Sequence, residues 1–421
     1  MTLSQAQPRA WLLVSAFIAC LLVILPFKTS ANHPGAVVLV DDSDVTPDGG
    51  GCGTAANKCN TIQAGVDHAL AGQKVAVAAG TYDELVTVPK QLKIEGAQKG
   101  KNGTTRTVAV GQESVVNGGF NLQGNRIVVN GFIIQNNAGG PGVQTSPLFS
   151  GYKIENNIIR NSVMGLYLHS SGESQTEVSR NLFQTNNAAG AAAGNGIYSD
   201  QGLVNAEISR NRFTGNENTS FTLTRGAVSD PKNNDVEFSR NTATGERTLV
   251  NMYYTMNSEI SRNTATAFVP NGSAVFLAGG NDKINIEHNT LRDADFSGIR
   301  VRNMVGDNTR LEISDNTITG MGDFGIAAGS AHNDVPDSGI GNAMTDSKIE
   351  DNEVRNNGAA YSADGIFLGP NTANNTIEDN EARLNAHHDA HDDSVGTSTA
   401  STANIWDDND CSTDSPNGLC D

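Results

Sequence analysis

A short unit, apolar–x–x–Asn, recurs along most of the chain and constrains its fold more than any other feature. Successive asparagines lie 22 to 36 residues apart, with a mean spacing of about 28 residues. A helical-hairpin repeat holds its period tightly, whereas a β-helix tolerates loops of different lengths at its turns. The spacing therefore favours a β-solenoid. The asparagines that mark the units are Asn130, Asn157, Asn181, Asn211, Asn241, Asn263, Asn289, Asn316, Asn352 and Asn380.

Between these asparagines lie second short segments with the period-two pattern of β-strands, bounded by Gly, Asn or Asp. They cover residues 165–168, 196–198, 298–301, 325–326 and 365–368. Each coil would turn its apolar residues inward and bury them only by stacking on the next coil, at about 4.8 Å. Asparagine at one point of every coil would stack as a hydrogen-bonded ladder. The sequence thus predicts an all-β fold, a single-stranded parallel β-helix of about a dozen coils.

The ends of such a solenoid expose unpaired strands, which must be covered. Residues 61–70 carry apolar side chains at helical spacing, so we expect a short amphipathic helix that caps the first coil. The repeat fades after residue 384, and we expect a C-terminal cap there. The predicted organisation is a capping segment over 32–73, the β-helix over 74–384 and the cap over 385–421.

The N-terminus has the layout of a secretory signal. Arg9 is its only early charge, a mostly apolar run spans 11–27, and small residues follow up to Ala31. We assign residues 1–31 to a signal peptide and expect a secreted protein, extracellular or at the cell surface. The alternative is an uncleaved anchor, because the apolar run reaches the lower limit for a membrane span. Apart from this segment, no contact with a membrane is expected.

The chain without this signal is strongly acidic. Residues 1–31 contain two of the 28 basic residues and none of the 46 acidic ones, so their removal changes the net charge from −18 to −20. Such a charge repels phosphate backbones, and no nucleic-acid partner is expected. It also opposes tight binding of polyanionic glycans unless a cation bridges the two, which makes Ca²⁺ the candidate cofactor. The sequence does not indicate an oligomeric state.

Four cysteines remain in two local pairs, Cys52 with Cys59 and Cys411 with Cys420. An even number in an exported chain predicts disulfides. Metal binding is the alternative, but the pairs lie at opposite ends of the chain and lack the tight spacing of a zinc knuckle. We expect both disulfides to hold the ends of the solenoid, where it would fray.

Two segments carry a resemblance to a known family. Residues 61–96, with the runs Thr-Ile-Gln, Ala-Gly-Thr-Tyr and Ile-Glu-Gly, resemble the opening segment of pectate-lyase-like right-handed β-helix proteins. Residues 404–420, with Asn-Ile-Trp and Gly-Leu-Cys, are similar to the tail of secreted bacterial members of unknown function. The resemblance implies a right-handed coil over nearly the whole mature chain. It implies no particular reaction, because this fold hosts lyases, hydrolases, epimerases and adhesins.

Catalytic signatures of this fold are absent from the sequence. It lacks Gly-His-Gly, the Asn-Thr-Asp of polygalacturonases, the Asp-Pro-His of alginate epimerases and the Arg-x-Pro-x-x-Arg of pectate lyases. A hydrolase would need paired carboxylates, and a lyase would need a base beside an acidic C–H bond. Whether the protein is an enzyme stays open, with polysaccharide lyase, epimerase and hydrolase as the candidate activities.

The second strand segments also predict a lane of outward-facing side chains. If the first apolar residue of each segment points inward, the residue after it points outward, and stacked coils align these residues. They are Tyr167, Tyr198, Phe276, Arg300, Ala327 and Phe367. We predict that the four aromatic ones bind sugar rings by stacking. The alternative is that they pack beneath the long loops at 185–195 and 330–346.

Charged residues near this lane are the candidates for acid–base catalysis or cation binding. They are Asp200, Asp295, Arg300, Arg302 and Asp364. They would act together only if the fold brings them into one cleft.

The run 387–393 is dense in imidazoles and carboxylates, which bind transition metals. Its metal candidates are His387, His388, Asp389 and His391. Against a metal site, adjacent ligands point in different directions, and a closed site needs three or four that converge. The alternative is that the aspartates of this run tie turns of the C-terminal cap.

These observations predict a secreted β-helix associated with extracellular polysaccharide, with its reaction unassigned. One alternative is a lyase, epimerase or hydrolase that acts on polysaccharide. Another is a purely structural or adhesive surface protein.

Overall fold

The chain winds as a coil of short parallel strands, and each turn of the coil contributes one strand to each of three sheets. The computed structural model describes residues 37–44, 48, 51–266, 268–329 and 341–421. The segment 1–31, assigned to a signal peptide, lies outside these residues. Within one turn the chain passes from sheet 1 to sheet 2 and then sheet 3, before it returns to sheet 1 one step along the axis.

In the described part of the chain the three sheets have 14, 13 and 13 strands. The strands of sheet 1 are Val37–Val40, Lys74–Val77, Lys93–Glu95, Val128–Asn130, Lys153–Glu155, Thr176–Ser179, Val204–Ser209, Asn233–Ser239, Thr255–Ser261, Asp282–Glu287, Glu312–Ser314, Lys348–Glu350, Thr376–Glu378 and Ile405–Asp407. The strands of sheet 2 are Gly80–Asp83, Ser114–Asn117, Phe132–Gln135, Ile158–Arg160, Leu182–Gln184, Arg212–Thr214, Thr242–Thr244, Thr264–Thr266, Thr290–Arg292, Thr317–Thr319, Glu353–Arg355, Glu381–Arg383 and Asp410–Cys411. The strands of sheet 3 are Val86–Val88, Phe120–Leu122, Pro141–Thr145, Met164–Tyr167, Asn195–Ser199, Thr219–Leu223, Thr248–Met252, Val275–Leu277, Ile299–Val301, Ile326–Ala328, Ile366–Leu368, Ala390–Asp392 and Asp414–Ser415. Two further short strands, Met344–Thr345 and Thr372–Ala373, pair with each other.

Inward side chains of successive turns stack directly on one another. In sheet 1, Ile154, Val178 and Ile208 are register partners, and all three are fully buried. In sheet 2, the rings of Phe183 and Phe213 stack with their centroids 5.0 Å apart. The core is therefore a continuous apolar column, and no single turn could bury its own residues. The predicted all-β parallel β-helix is confirmed.

The repeated asparagines form the predicted ladder where sheet 1 turns into sheet 2. The backbone N and the Nδ2 of Asn263 both donate to Oδ1 of Asn289, at 3.0 Å each. The same Nδ2 also donates to the carbonyl of Phe238 in the preceding turn of the coil. Each asparagine thus satisfies buried backbone groups that the turn would otherwise leave unpaired.

The ladder begins one turn later than the sequence pattern indicates. Asn130 is the register partner of Glu155, so its side chain is not a rung. Phe132 occupies the equivalent position, and its N–H donates to Oδ1 of Asn157 at 3.0 Å. The backbone N–H at this first position is therefore hydrogen-bonded by the asparagine of the next turn, although the position itself has no amide side chain.

Shorter ladders lie where sheet 2 turns into sheet 3, and acidic residues end them. Asn186 donates to Asn216, whose backbone N donates in turn to Oε1 of Glu246 at 2.9 Å. Further along the rod, Asn385 donates from its backbone N and its Nδ2 to Oδ1 of Asp389. A carboxyl group can replace the last amide because its oxygen only has to accept the hydrogen bonds of the preceding rung.

The N-terminal end of the coil is covered as the sequence predicts. A helix over Ile62–His68 begins at Thr61, whose hydroxyl accepts a hydrogen bond from the N–H of Ala64 at 3.1 Å. Ile62 and Val66 of this helix are buried against the first strands. A disulfide joins Cys52 to Cys59 beside them. No helix in the described ranges is long and apolar enough to span a membrane.

The sheets continue through the segment that the sequence assigns to a C-terminal cap. The strands Ala390–Asp392, Ile405–Asp407 and Asp410–Cys411 extend sheets 3, 1 and 2, and residue 384 marks no break in the coil. A one-turn 3₁₀-helix covers Thr399–Ser401. The predicted disulfide between Cys411 and Cys420 holds this end together.

Candidate functional site

The residues that the sequence aligns in a lane lie at one register position of successive strands of sheet 3. Tyr167 pairs in register with Tyr198, Phe276 with Arg300, and Ala327 with Phe367. Between Tyr198 and Phe276 the lane passes two further turns through Thr222 and Asn251, which the sequence pattern did not reveal. Their segments lack the Gly-apolar-aromatic signature, so only the strand pairing identifies them.

The lane is accessible along only part of its length. Tyr167, Tyr198 and Phe276 are half-buried and present part of their rings to solvent. Phe367 is fully buried, where it packs with Phe324 in a small apolar cluster outside the main core. The prediction that Phe367 stacks on a sugar is therefore wrong for this structure, because other side chains already cover its ring.

A cavity of about 530 Å³ opens beside the middle of the lane. Three aromatic side chains and two guanidinium groups line it, and the rings of Phe296 and Tyr361 lie 5.9 Å apart. The lining residues are Thr248, Asn271, Gly272, Ser273, Phe276, Phe296, Ser297, Arg300, Arg302, Asp323 and Tyr361. Its volume lies in the range of ordinary small-molecule sites.

Of the charged candidates, Arg300 and Arg302 face this cavity together. Arg300 lies in the strand Ile299–Val301 and Arg302 directly follows it, so the inward Val301 separates two side chains that both line the cavity. Asp295 lies at the rim, where its Oδ2 accepts a hydrogen bond from the N–H of Asn271 at 2.8 Å. The carboxylate in the lining is that of Asp323, which the sequence did not single out.

A second group of polar side chains surrounds Tyr167 nearer the N-terminal end of the lane. The Tyr167 hydroxyl donates to Oδ1 of Asp200 at 2.7 Å and accepts from Nε2 of Gln201. Nε2 of the fully buried His169 lies 3.4 Å from the same carboxylate oxygen. The Tyr198 ring stacks on that of Tyr167 with centroids 6.1 Å apart.

Burial and Asp200 control the ionisation of this group. Burial, with Asp200 adding to it, raises the pKa of Tyr198 to about 12, and the pKa of Tyr167 is raised for the same two reasons. Burial lowers the pKa of His169, although Asp200 opposes the change. Near neutral pH both phenols are therefore protonated and the imidazole is uncharged.

Asp364 belongs to neither of these two groups and lies near the C-terminal end of the coil. Its carboxylate is fully buried and faces the Nδ1 atoms of His387, His388 and His391, at 2.8, 3.2 and 2.9 Å. Burial alone would raise the pKa of Asp364, but hydrogen bonds and the charge of His391 hold it below its usual value. The bond to Asp364 also raises the pKa of His391 against the effect of burial.

Asp389 does not join the three histidines. Its Oδ1 ends the short asparagine ladder, and its Oδ2 accepts from the N–H of Ser412 at 3.1 Å. The residues that the sequence grouped as metal candidates therefore divide by strand position, with Asp389 turned toward the coil and His391 toward the outside.

No family model matches the sequence, and no curated protein matches it. A PL6 alginate lyase solved with a trisaccharide is 13% identical, with 77% of this chain and 82% of that one covered and a TM-score of 0.49. The A-module of an Azotobacter vinelandii mannuronan C-5 epimerase is 13% identical, with 84% and 91% covered and a TM-score of 0.46. For pectate lyase Pel9A the identity is 14%, the coverage 80% and 78%, and the TM-score 0.40.

The architecture is decided by the three long parallel sheets, paired in register turn by turn. The protein is a parallel β-helix. In this β-helix, the five charged candidates do not meet in one cleft. Four strand spacings separate the Tyr198 turn from the Arg300 turn, roughly 19 Å, and two more separate Arg300 from Phe367, roughly 10 Å.

Several residues of these three groups escaped the sequence analysis. They are His169, Phe296, Asp323 and Tyr361. His169 follows Tyr167 by two residues, just beyond the strand Met164–Tyr167, and its ring contacts that of Tyr167 with centroids 4.3 Å apart, so continuing the period-two alternation past the strand was the signal that could have found it. The other three lie in loops, for which the repeat has no rule.

Proposed function

We propose that this β-helix binds extracellular polysaccharide in the cavity formed by Phe276, Phe296, Arg300, Arg302 and Tyr361. The observation that carries the proposal is the combination of three aromatic rings and two guanidinium groups around one open volume of about 530 Å³. Aromatic faces bind the apolar faces of sugar rings, and polar groups around them orient the hydroxyls. Four polar side chains, Thr248, Asn271, Ser273 and Ser297, supply such groups.

The charge of the cavity favours a sugar that carries a carboxylate. The whole chain has a net charge of −18, which opposes a polyanion at most of the surface. The cavity is an exception, because two arginines and a single acidic residue, Asp323, line it. A guanidinium can donate two parallel hydrogen bonds to a carboxylate, which adds geometric selectivity to the attraction. An acidic glycan could therefore be held here without a bridging cation.

Secretion is part of the proposal. Two disulfides, Cys52–Cys59 and Cys411–Cys420, hold the two ends of the coil, and such bonds persist in oxidising compartments. The layout of residues 1–31 agrees with export. Detection of the mature protein outside the cell, with its N-terminus following Ala31, would support this part.

The test is a binding titration of the protein against matched neutral and uronate-containing oligosaccharides. We expect Tyr361→Ala to weaken binding about two- to tenfold, the worth of one aromatic stacking contact. Arg302→Ala should weaken binding of the acidic glycan about ten- to a hundredfold, the worth of a charged hydrogen bond, and change neutral glycans little. Equal affinities of wild type and both variants for every glycan would exclude the cavity.

Two controls match these variants in residue type. Tyr254 and Arg292 lie outside the cavity lining, and Arg292 is exposed on sheet 2. We expect Tyr254→Ala and Arg292→Ala to bind like the wild type. If Arg292→Ala weakens binding as much as Arg302→Ala does, the effect is one of overall charge and the cavity assignment fails.

A second candidate function, a lyase or epimerase, is favoured by the group around Tyr167. The partly exposed phenol of Tyr167 is a proton donor and the partly exposed carboxylate of Asp200 a proton acceptor, while the buried, uncharged imidazole of His169 lies beside that carboxylate. Such a pair suits abstraction of an acidic C–H proton and protonation of a leaving oxygen. Unsaturated products that absorb in the ultraviolet, lost in Tyr167→Phe but retained in Tyr361→Ala, would establish it. No product from any acidic glycan would leave a binding protein without this activity.

A further inference from the structure

Three histidines and an aspartate converge at the C-terminal end of sheet 3. Asp364 precedes the strand Ile366–Leu368, while His387 and His388 precede the next strand and His391 lies within it. One ligand atom from each of the four side chains lies within 4.8 Å of all the others. The cluster therefore brings together side chains from two consecutive turns of the coil.

The arrangement is more than a satisfied buried carboxylate requires. Oδ1 of Asp364 already accepts a hydrogen bond from the backbone N–H of His388 at 2.9 Å, and one imidazole would complete its partners. Instead, three Nδ1 atoms point at this one carboxylate. In the described part of the chain, the side chains that form ion pairs with Asp364 are these three imidazoles, and no Lys or Arg is among them.

We propose that Asp364, His387, His388 and His391 bind one divalent transition-metal ion, with Zn²⁺ as the representative. Three imidazole nitrogens and one carboxylate oxygen suit Zn²⁺ and its neighbours, whereas Ca²⁺ takes six to eight oxygen ligands. Four protein ligands fill a tetrahedral shell, which is the composition of a structural site. The inference goes beyond the proposed function and holds whether or not the cavity binds glycan.

The ligands need only a small movement to reach a metal shell. Around tetrahedral Zn²⁺, with bonds near 2.0–2.1 Å, ligand atoms stand about 3.4 Å apart. The widest separation here is 4.8 Å or less, so the ligand atoms have to approach one another by at most about 1.4 Å. The imidazoles of His387 and His388 are 44% and 26% exposed, which leaves them room to turn and leaves the ion a path from solvent.

An outer carboxylate supports the assignment independently. Nε2 of His391 lies 3.1 Å from Oδ1 of Asp393. When Nδ1 of an imidazole binds a metal, Nε2 carries the proton, and a carboxylate there fixes both the tautomer and the ring orientation. His391 thus has one nitrogen directed at Asp364 and the other held by Asp393, as a metal-bound histidine requires.

The bound ion would fasten the last complete turns of the rod. It would link the turn of Phe367 to that of His391, whose rings are register partners with centroids 5.3 Å apart. The sheet edge beyond them is short, because only Asp414–Ser415 follows in sheet 3. A metal crosslink at this point opposes fraying where few strands remain to pair.

The test is a titration of the untagged protein, stripped with a chelator, by Zn²⁺ and separately by Co²⁺. We expect one equivalent of Zn²⁺ to bind and to raise the unfolding temperature, and Co²⁺ to give the visible spectrum of a tetrahedral site. Excess Ca²⁺ should not displace either ion. Asp393→Asn, which keeps all four ligands, should lower the Zn²⁺ affinity about ten- to a hundredfold.

His387→Ala should abolish tight binding, and His288→Ala is its matched control. His288 is a half-exposed histidine beside Glu287 and Asp315, on another part of the coil. Both variants should match the metal-free wild type in circular dichroism, since the two side chains lie at the surface. Absence of stoichiometric Zn²⁺ binding by the wild type would overturn the proposal. Unchanged affinity in both His387→Ala and Asp393→Asn, or displacement of Zn²⁺ by Ca²⁺, would overturn it too.

Discussion

Phe276 and Phe367 lie at the same position of sheet 3, three turns apart, yet one lines the open cavity and the other is fully buried. The difference comes from Phe324 and Ala363, which cover Phe367 from outside the coil. One lane of outward side chains therefore serves two purposes. Part of it contacts solvent and part of it anchors a loop.

We expect opposite consequences from truncating these two rings. Phe367→Ala should destabilise the protein by about 3–5 kcal/mol, the usual cost of removing a buried Phe side chain. Phe276→Ala should change the free energy of unfolding by less than about 1 kcal/mol, because the ring is partly exposed, while weakening glycan binding. Denaturant titrations measure the first effect and binding titrations the second. Equal destabilisation by the two changes would contradict the distinction.

Glu246 should make the stability of the protein depend on pH. Its side chain is 1% exposed, and burial raises its pKa to about 8, although Asn216 and Ser220 donate hydrogen bonds to it. The folded state thus retains a proton that an unfolded Glu, with a pKa of 4.5, has lost. Its contribution is fully present below pH 4.5 and is lost as the pH rises through about 8.

The matched experiment compares Glu246→Gln with Glu217→Gln, which alters an exposed side chain on a neighbouring loop. The amide in Glu246→Gln keeps an oxygen that can accept from Asn216 but has no charge to desolvate. We expect the wild type to lose a few kcal/mol of unfolding free energy between pH 5 and pH 9 relative to Glu246→Gln. If the unfolding free energies of the wild type and Glu246→Gln change with pH in parallel, burial of Glu246 has no such effect. Glu217→Gln should follow the wild type.

A single rung of the asparagine ladder should be costly to remove. In Asn289→Ala, the backbone N and the Nδ2 of Asn263 both lose their acceptor, and the carbonyl of Ile260 loses its donor. Each unsatisfied buried group costs about 1–3 kcal/mol. We expect a destabilisation of about 3 kcal/mol or more in a denaturant titration. Asn417→Ala, at an exposed site, is the control and should change stability by less than about 0.5 kcal/mol.

We expect the negative charge of Asp200 to contribute measurably to the raised pKa of Tyr198. Burial and the Asp200 carboxylate together raise the pKa of Tyr198 to about 12. Asp200→Asn removes the negative charge and leaves the burial, so the pKa should fall but stay above its ordinary value. The tyrosinate absorbance of Asp200→Asn, with and without Tyr198→Phe, isolates this phenol. A pKa that is the same with Asp and with Asn at position 200 would contradict the role of the carboxylate.

The fold could be predicted from the sequence because the repeat is a local pattern that recurs along the chain. Each turn contacts only its neighbours, so an Asn every 22 to 36 residues and an inward apolar residue beside it are enough to define the coil. The alternation of inward and outward residues also predicted that Tyr167 and Tyr198 are register partners. It misplaced Asn130 because the local Asn motif recurs there two residues ahead of the true rung position.

The sites depended on contacts that the repeat does not encode. Asp364 and His391 are 27 residues apart, and their 2.9 Å contact arises because one turn of the coil brings their strands side by side. Adjacent histidines suggested divergent side chains, but the turn before Ala390 directs His387 and His388 at the same carboxylate. Whether a lane residue is accessible depended on loops such as that of Phe324, whose path no repeat specifies.

The sequence by itself therefore determined the coil, the direction of its side chains and the residues that close its ends, because these follow from local periodicity and nearest-neighbour stacking. Only the tertiary structure decided which outward residues form a cavity, which are covered, and which carboxylate meets three imidazoles. Those outcomes depend on the loops between turns, whose lengths vary because a parallel coil stays paired whatever its turns contain.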